Sequence, residues 1–257
     1  MVLNCTDIGK IRFRCTSVSL LFLIAFWMAA RAGPPFLTDD PEPLPYRHGE
    51  ALIAPQILNE VGRLSIVLPG IEVNYGVAPE VMAHVIVPFL LTKQDSVQGQ
   101  FGLGDIELGV KYRFFKETDA IPQAGTFPHV EIPTGDSSKA AGSGSWELFV
   151  PLWLQKSFGP WTTYGGGGFW IQLKSGSHDF WFFGWELQRD ISWRLMLGAE
   201  LFCNTGSFTD NRTETGFNAG GVFNFTKDHH LLFSAGRDFS GPNTFLMYLA
   251  YQLTFEL

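Results

Sequence analysis

Cysteine is nearly missing from this 257-residue chain: there are three, Cys5, Cys15 and Cys203. Two of them precede residue 16, and Cys203 stands alone, which excludes an intrachain disulfide framework from the rest. Charge is scarce as well. Charged residues make up 17% of the chain, and 18 Lys and Arg are outnumbered by 25 Asp and Glu, for a net charge of −7. Phosphate contacts need Lys and Arg, so this balance argues against nucleic acid as a partner. Beyond residue 32 no apolar run approaches the ~20 residues of a membrane-crossing helix, and no segment carries a helical period. Catalytic signatures are missing too. No His sits with a Ser on one strand face, and the His129/Glu131 pair lacks a nucleophile. No Cys/His cluster has zinc spacing. Gly102-Leu103-Gly104 has no helix after it, so it is not a dinucleotide loop. The sequence therefore implies no enzyme, no cofactor and no metal.

What the chain does have is a period of two. From Phe245 to Leu257 every second residue is apolar: Phe245, Met247, Leu249, Tyr251, Leu253, Phe255, Leu257. Such alternation marks a strand with one apolar face. A closed membrane barrel needs a last strand of this kind to pair with its first and leave no edge.

At the other end, Lys10, Arg12 and Arg14 form a basic region before the apolar run Val18 to Ala30, and Ala30-Arg31-Ala32 offers a small-x-small cleavage site. The run has 13 residues, too short for a spanning helix, so it reads as a secretory signal cut after Ala32. Residues 33–257 then carry 14 basic and 24 acidic residues, a net charge of −10. Residues 33–46 (GPPFLTDDPEPLPY) hold five prolines. Proline fixes φ and lacks a ladder donor, which predicts an extended, non-sheet leader, either periplasmic or tucked into a lumen.

Residues 47–257 read as a transmembrane, antiparallel, up-and-down β-barrel of twelve strands: 49–59, 63–76, 79–92, 101–116, 124–134, 145–157, 161–173, 178–189, 192–203, 214–226, 229–238 and 244–257. Four of the five even-numbered connections are tight, at 76–78, 158–160, 189–191 and 226–228, while 117–123 is longer; most of the odd-numbered ones are long and rich in Gly, Ser, Asn and Asp, the short first turn at 60–62 excepted. Short turns on one side, long loops on the other and an even strand count are outer-membrane features. A Lys or Arg on the lipid face costs ~2–4 kcal/mol at the midplane, so charged residues should face inward. That parity assigns Glu72, Asp105, Glu107, Lys111, Arg113, Glu131, Glu147, Glu186, Arg194 and Glu200 to the lumen. Such charges either select solutes or pair as structural filling. Trp146 and Trp181 after outer loops, and Trp161 and Trp193 after inner turns, share the outward parity of two aromatic girdles. The competing reading of these four is the core of a soluble sandwich. Gly165 to Gly168 either permits strong curvature or makes room for a bulky neighbour.

With these residues in view, the chain resembles the outer-membrane barrel family labelled MetA-pathway of phenol degradation, whose members are often called transporters. The likeness rests on GPPFLTDDPEP (Gly33 to Pro43), GLGDIELGVKYRF (Gly102 to Phe114), EIPTGD (Glu131 to Asp136) and the Gly-Ser-Trp before strand six. It implies a barrel that takes up aromatic or hydrophobic compounds, and it carries over no residue roles. Leu257 departs from the usual aromatic last residue of such barrels. The expected activity is passive conduction of small hydrophobic or aromatic solutes across a bacterial outer membrane. The expected partners are outer-membrane lipid, barrel-assembly machinery at the last strand, and the solute. The rival readings are a structural or surface-interaction barrel and an outer-membrane lipid hydrolase.

Overall fold

The structure, a computed structural model, describes residues 35–60, 63–94, 99–137, 141–206 and 212–257. The expected signal segment 1–32 with its cleavage site, residues 33–34 of the expected leader, and the centre of the first turn lie outside them. Fourteen strands follow in order: β1 (His48–Glu60), β2 (Arg63–Ala78), β3 (Val81–Gln94), β4 (Gln100–Leu103), β5 (Ile106–Phe115), β6 (Gln123–Thr126), β7 (His129–Ile132), β8 (Glu147–Phe158), β9 (Trp161–Gln172), β10 (Phe180–Ser192), β11 (Leu195–Asn204), β12 (Glu214–Asn224), β13 (His229–Ser240) and β14 (Phe245–Glu256). β4 and β5 both pair with β3, and β6 and β7 both lie between β5 and β8. Each of these pairs is one interrupted stave, so the barrel has twelve staves. Every pairing is antiparallel between neighbours, and β1 pairs with β14 from His48↔Glu256 to Asn59↔Phe245 to close the ring.

The two interruptions have local causes. Between Ile86↔Glu107 and Phe89↔Leu103 the fourth stave carries one residue more than β3. The extra residue makes a bulge at Gly104-Asp105, where Gly104 N donates to Pro88 O at 2.8 Å. A bulge reverses face parity. Phe101 before it is exposed, and so are Leu108, Val110 and Tyr112 after it, although their positions differ by an odd number. In the fifth stave Pro128 cannot donate to the ladder, while its carbonyl still accepts from Val110 N at 3.0 Å.

Alternation sorts the rest. On β14 the odd residues Phe245 to Leu253 are exposed, while Ala250 and Gln252 are buried. The outward apolar residues of all staves form the band that lipid covers, since an apolar surface of this extent is not left to water. Trp146, Trp161, Trp181 and Trp193 are all exposed, the first and third toward the long loops and the others at the tight turns. Arg189 lies 5.1 Å from the Trp161 ring and Arg194 4.6 Å from the Trp193 ring, a cation–π pairing suited to an interface. The expected turn at 189–191 sits instead at Trp193-Arg194, with a register shift between Asp190 and Ser192.

Inside, one side of the barrel is filled. Phe149, Trp153, Phe182 and Phe202 form a buried cluster with Leu44, Met82 and Phe127. Gly166 and Gly168 make room for it: a Cβ on Gly166 would meet Trp153 at 3.0 Å, and one on Gly168 would overlap the Phe149 ring. The glycine run of β9 thus accommodates bulky neighbours.

Candidate functional site

Beside that aromatic cluster the lumen is polar, and the leader lies inside it. Residues 35–46 pass from the β11–β13 wall across to β5 and then down to the tight-turn end of β2. Ser234 Oγ donates to the Pro35 carbonyl. The backbone N–H groups of Leu37 and Thr38 donate to the two carboxylate oxygens of Glu200 at 2.9 and 2.8 Å. Lys111 Nζ, fully buried, reaches Asp39 at 2.9 Å and Asp40 at 3.5 Å. Arg113 holds Glu42 at 3.2 Å and Glu80 at 2.7 Å, and Gln123 adds a bond to Glu42. At the rim Arg47 N donates to Gly76 O at 2.8 Å. Thr38 is 0%, Leu44 2% and Asp40 7% exposed.

The leader needs a backbone-smooth wall, which glycines supply. A Cβ on Gly184 would overlap Thr38 Oγ1, one on Gly76 would overlap the Pro45 carbonyl oxygen, and one on Gly125 would come within 2.9 Å of Pro41 O. Proline contributes in the complementary way: with four rings among residues 35–46, the segment has few backbone donors to satisfy and little conformational entropy to lose.

A second network runs along the wall from β14 to β5. Gln252 and Asn74 both donate to Glu50, and Asn74 Nδ2 also donates to Glu72 Oε1 at 2.7 Å. Those bonds fix the amide of Asn74, so its Oδ1 faces His84 Nδ1. His84 Nε2 lies 3.0 Å from Glu107; both ring nitrogens of His84 therefore face acceptors. His129 comes within 3.9 Å of Glu107 and packs against Phe127, Phe149 and Trp170. Its carboxylate neighbour is Glu107 on β5, and the ring serves as a structural contact among aromatics.

Beside the leader this network borders a cavity of about 510 Å³. Phe36 and Leu37 of the leader form part of its wall, Met82 and Ile86 of β3 and Leu246 and Tyr248 of β14 give it apolar surface, and Glu72, Glu107 and His129 give it polar surface.

The sequence-predicted lumen residues divide into four groups. Lys111, Arg113 and Glu200 anchor the leader. Glu72 and Glu107 border the cavity. Glu131 sits in register between Glu107 and Glu147, and Glu147 accepts from Gln172 at 2.8 Å. Glu186 is fully buried in register with Glu200, its two carboxylate oxygens without a hydrogen-bond partner. Asp105 occupies the bulge, on the parity of Glu107, and its carboxylate accepts from Gly135 N at 2.9 Å and from Ser143 N and Oγ at 2.6 and 2.9 Å; it fastens the loop between β7 and β8. One assignment needs correction. Arg194 is exposed in the β10–β11 turn, because the turn lies three residues later than the polar Arg189-Asp190 suggested.

Sequence reasoning left out Glu50, Asn74 and Gln252, and it left out the leader acids Asp39, Asp40 and Glu42. A signal for the leader acids was available. Lys111 and Arg113 are inward cations in a strongly acidic chain, and the acids of TDDPE are their complement.

In fold the barrel is similar to the COG4313 outer membrane channel from Pseudomonas putida F1, at 16% identity and a TM-score of 0.67 over 84% of this chain and 98% of that one. It is similar to the KdgM porin, at 10% identity and a TM-score of 0.57 over 80% and 99%. The translocator domain of the autotransporter NalP from Neisseria meningitidis aligns at 9% identity and a TM-score of 0.50 over 81% and 88%. No curated protein matches the chain in sequence. Residues 45–255 match the family described as "Putative MetA-pathway of phenol degradation", and the protein, a twelve-stave outer-membrane β-barrel, belongs to that family.

Proposed function

We propose that the protein is a passive outer-membrane channel for small solutes with apolar bodies, narrowed by its own leader. The observation that carries this is the cavity of about 510 Å³ inside the barrel. It is roughly three times the ~150 Å³ of an apolar cavity that takes up one benzene. A twelve-stave ring lies between filled eight-stranded barrels and open 16-stranded porins, and the leader takes up much of the difference. The conducting path is the space the leader leaves along β1–β5 and β14. The similar folds of a channel and a porin and the family description agree with a conduit for aromatic compounds. The lumen charges act on two levels: some hold the leader, and others set what passes the cavity.

Proteoliposome swelling tests the reading. Purified protein should raise the influx of small arabinose-sized solutes over protein-free vesicles, and a chain lacking residues 35–46 should raise it further. Vesicles impermeable with either protein would leave a structural or surface-interaction barrel as the better account.

A further inference from the structure

We propose that the lumen cavity is a binding subsite for a small organic cation, an apolar body bearing a protonated amine, in preference to an anion of the same shape. The proposal rests on the channel reading and specifies its solute.

The argument is an inventory of donors and acceptors. Asp39, Glu72 and Glu107 border the cavity, and Lys111 is the one Lys or Arg among its described lining residues. Lys111 is already held by Asp39 and Asp40. Glu107 takes a bond from His84, and Asn74 occupies Oε1 of Glu72, which leaves Oε2 of Glu72 to the cavity. Two buried lining atoms have no hydrogen-bond partner: Asn218 Oδ1 and His129 Nδ1. Asn218 is 3% exposed, and its Nδ2 donates to Glu200, so Oδ1 is an acceptor.

Among the charged lining groups and the buried lining atoms without a partner, the surplus is of acceptors, while the Tyr248 hydroxyl and the Gln56 amide are neutral groups that can serve either kind of head group. An ammonium group supplies three donors and a positive charge to such a surface, while its apolar body packs on Met82, Ile86, Leu246 and Tyr248. A carboxylate would bring two acceptors and a like charge into the same low-dielectric space.

Three probes of one ring size separate the head groups: benzylammonium, benzyl alcohol and benzoate. Their affinity for the purified full-length barrel is read by ligand-observed NMR titration. Benzylammonium should bind more tightly than benzoate by about tenfold, with benzyl alcohol between, as a charge-assisted bond at one buried carboxylate requires. Glu72→Gln should reduce that gap severalfold. Equal affinity for benzylammonium and benzoate, or a gap unmoved in a folded Glu72→Gln variant, overturns the proposal. If Glu72→Gln does not fold, the wild-type order alone decides. Single-channel conductance in potassium chloride, measured on the same preparation, separates the two readings. Conductance with a flat probe order removes the head-group inference alone. Loss of all conductance removes the channel reading.

Discussion

Replacing Glu200 with alanine should release the upper part of the leader without opening the barrel wall. Glu200 accepts from the Leu37 and Thr38 amides at 2.9 and 2.8 Å, and from Asn218 as well. A hydrogen bond to a charged group contributes about 1.5–3 kcal/mol, so the two amide bonds together contribute roughly 3–6 kcal/mol. Glu186 faces Glu200 in register, and truncation also removes that carboxyl–carboxyl contact, which offsets part of the loss. The lower figure, about 3 kcal/mol, corresponds to roughly a hundredfold shift between docked and undocked leader. Backbone amide hydrogen exchange by mass spectrometry, on protein in nanodiscs, reads this directly. The peptide covering residues 36–46 should exchange about a hundredfold faster in Glu200→Ala than in wild type, while β1 and β14 keep their protection. Equal exchange in the two proteins would refute the anchoring role. So would a wild-type leader that exchanges as fast as a free peptide.

Three further perturbations follow from the same geometry. Gly184→Val places a Cβ on top of the Thr38 hydroxyl and 2.9 Å from its Cβ; the leader should leave while the barrel keeps its heat-modifiable gel mobility, and loss of that mobility would contradict a purely steric effect on the leader. Asp105→Ala removes the three bonds that hold Gly135 and Ser143, so limited proteolysis should cut between β7 and β8 markedly faster, with unchanged cutting as the contrary result. Glu80 sits in the β2–β3 turn, where partial burial would raise its carboxyl, but hydrogen bonds from Lys116 and Arg113 outweigh that and hold it below its ordinary value of 4.5. A depressed carboxyl stabilises the fold above the unfolded value and loses that contribution as pH falls through the folded value. Wild type should therefore melt above Glu80→Gln at pH 7 and converge with it in the acid range below 4.5, and a gap that widened on acidification would contradict the pairing.

Much of the ring was legible because a lipid-facing strand obeys two constraints at once: alternation in hydropathy and exclusion of charge from one face. β8 to β14 satisfy both, and their limits lie within three residues of the expected ones. Irregular backbone was not legible. The bulge at Gly104-Asp105 inserts one residue into an otherwise regular alternation, and glycine beside an acid reads equally well as a strand interior. The sequence therefore carried no sign that Asp105 clasps the loop between β7 and β8. At the β10–β11 turn, Arg189 and Asp190 carry the polarity of a turn, but indole preference for the interface puts Trp193 there. The leader was recognisable as extended from its prolines. Its course through the lumen depends on Glu200 and Lys111, 162 and 72 residues away, which no local pattern encodes. The wall network of Glu50, Asn74, His84 and Gln252 shares that character: each residue alone is an unremarkable inward polar position, and only the register of β14, β1, β2 and β3 brings them together.

The account centres on a leader that fills a lumen otherwise wide enough to conduct. Single-channel conductance of the wild-type protein against a chain lacking residues 35–46, in planar bilayers at one salt concentration, measures this most directly. The account predicts small, stable conductance steps for wild type and steps several times larger for the shortened chain. Equal steps, or no conductance from the shortened chain in its folded, heat-modifiable form, would contradict it.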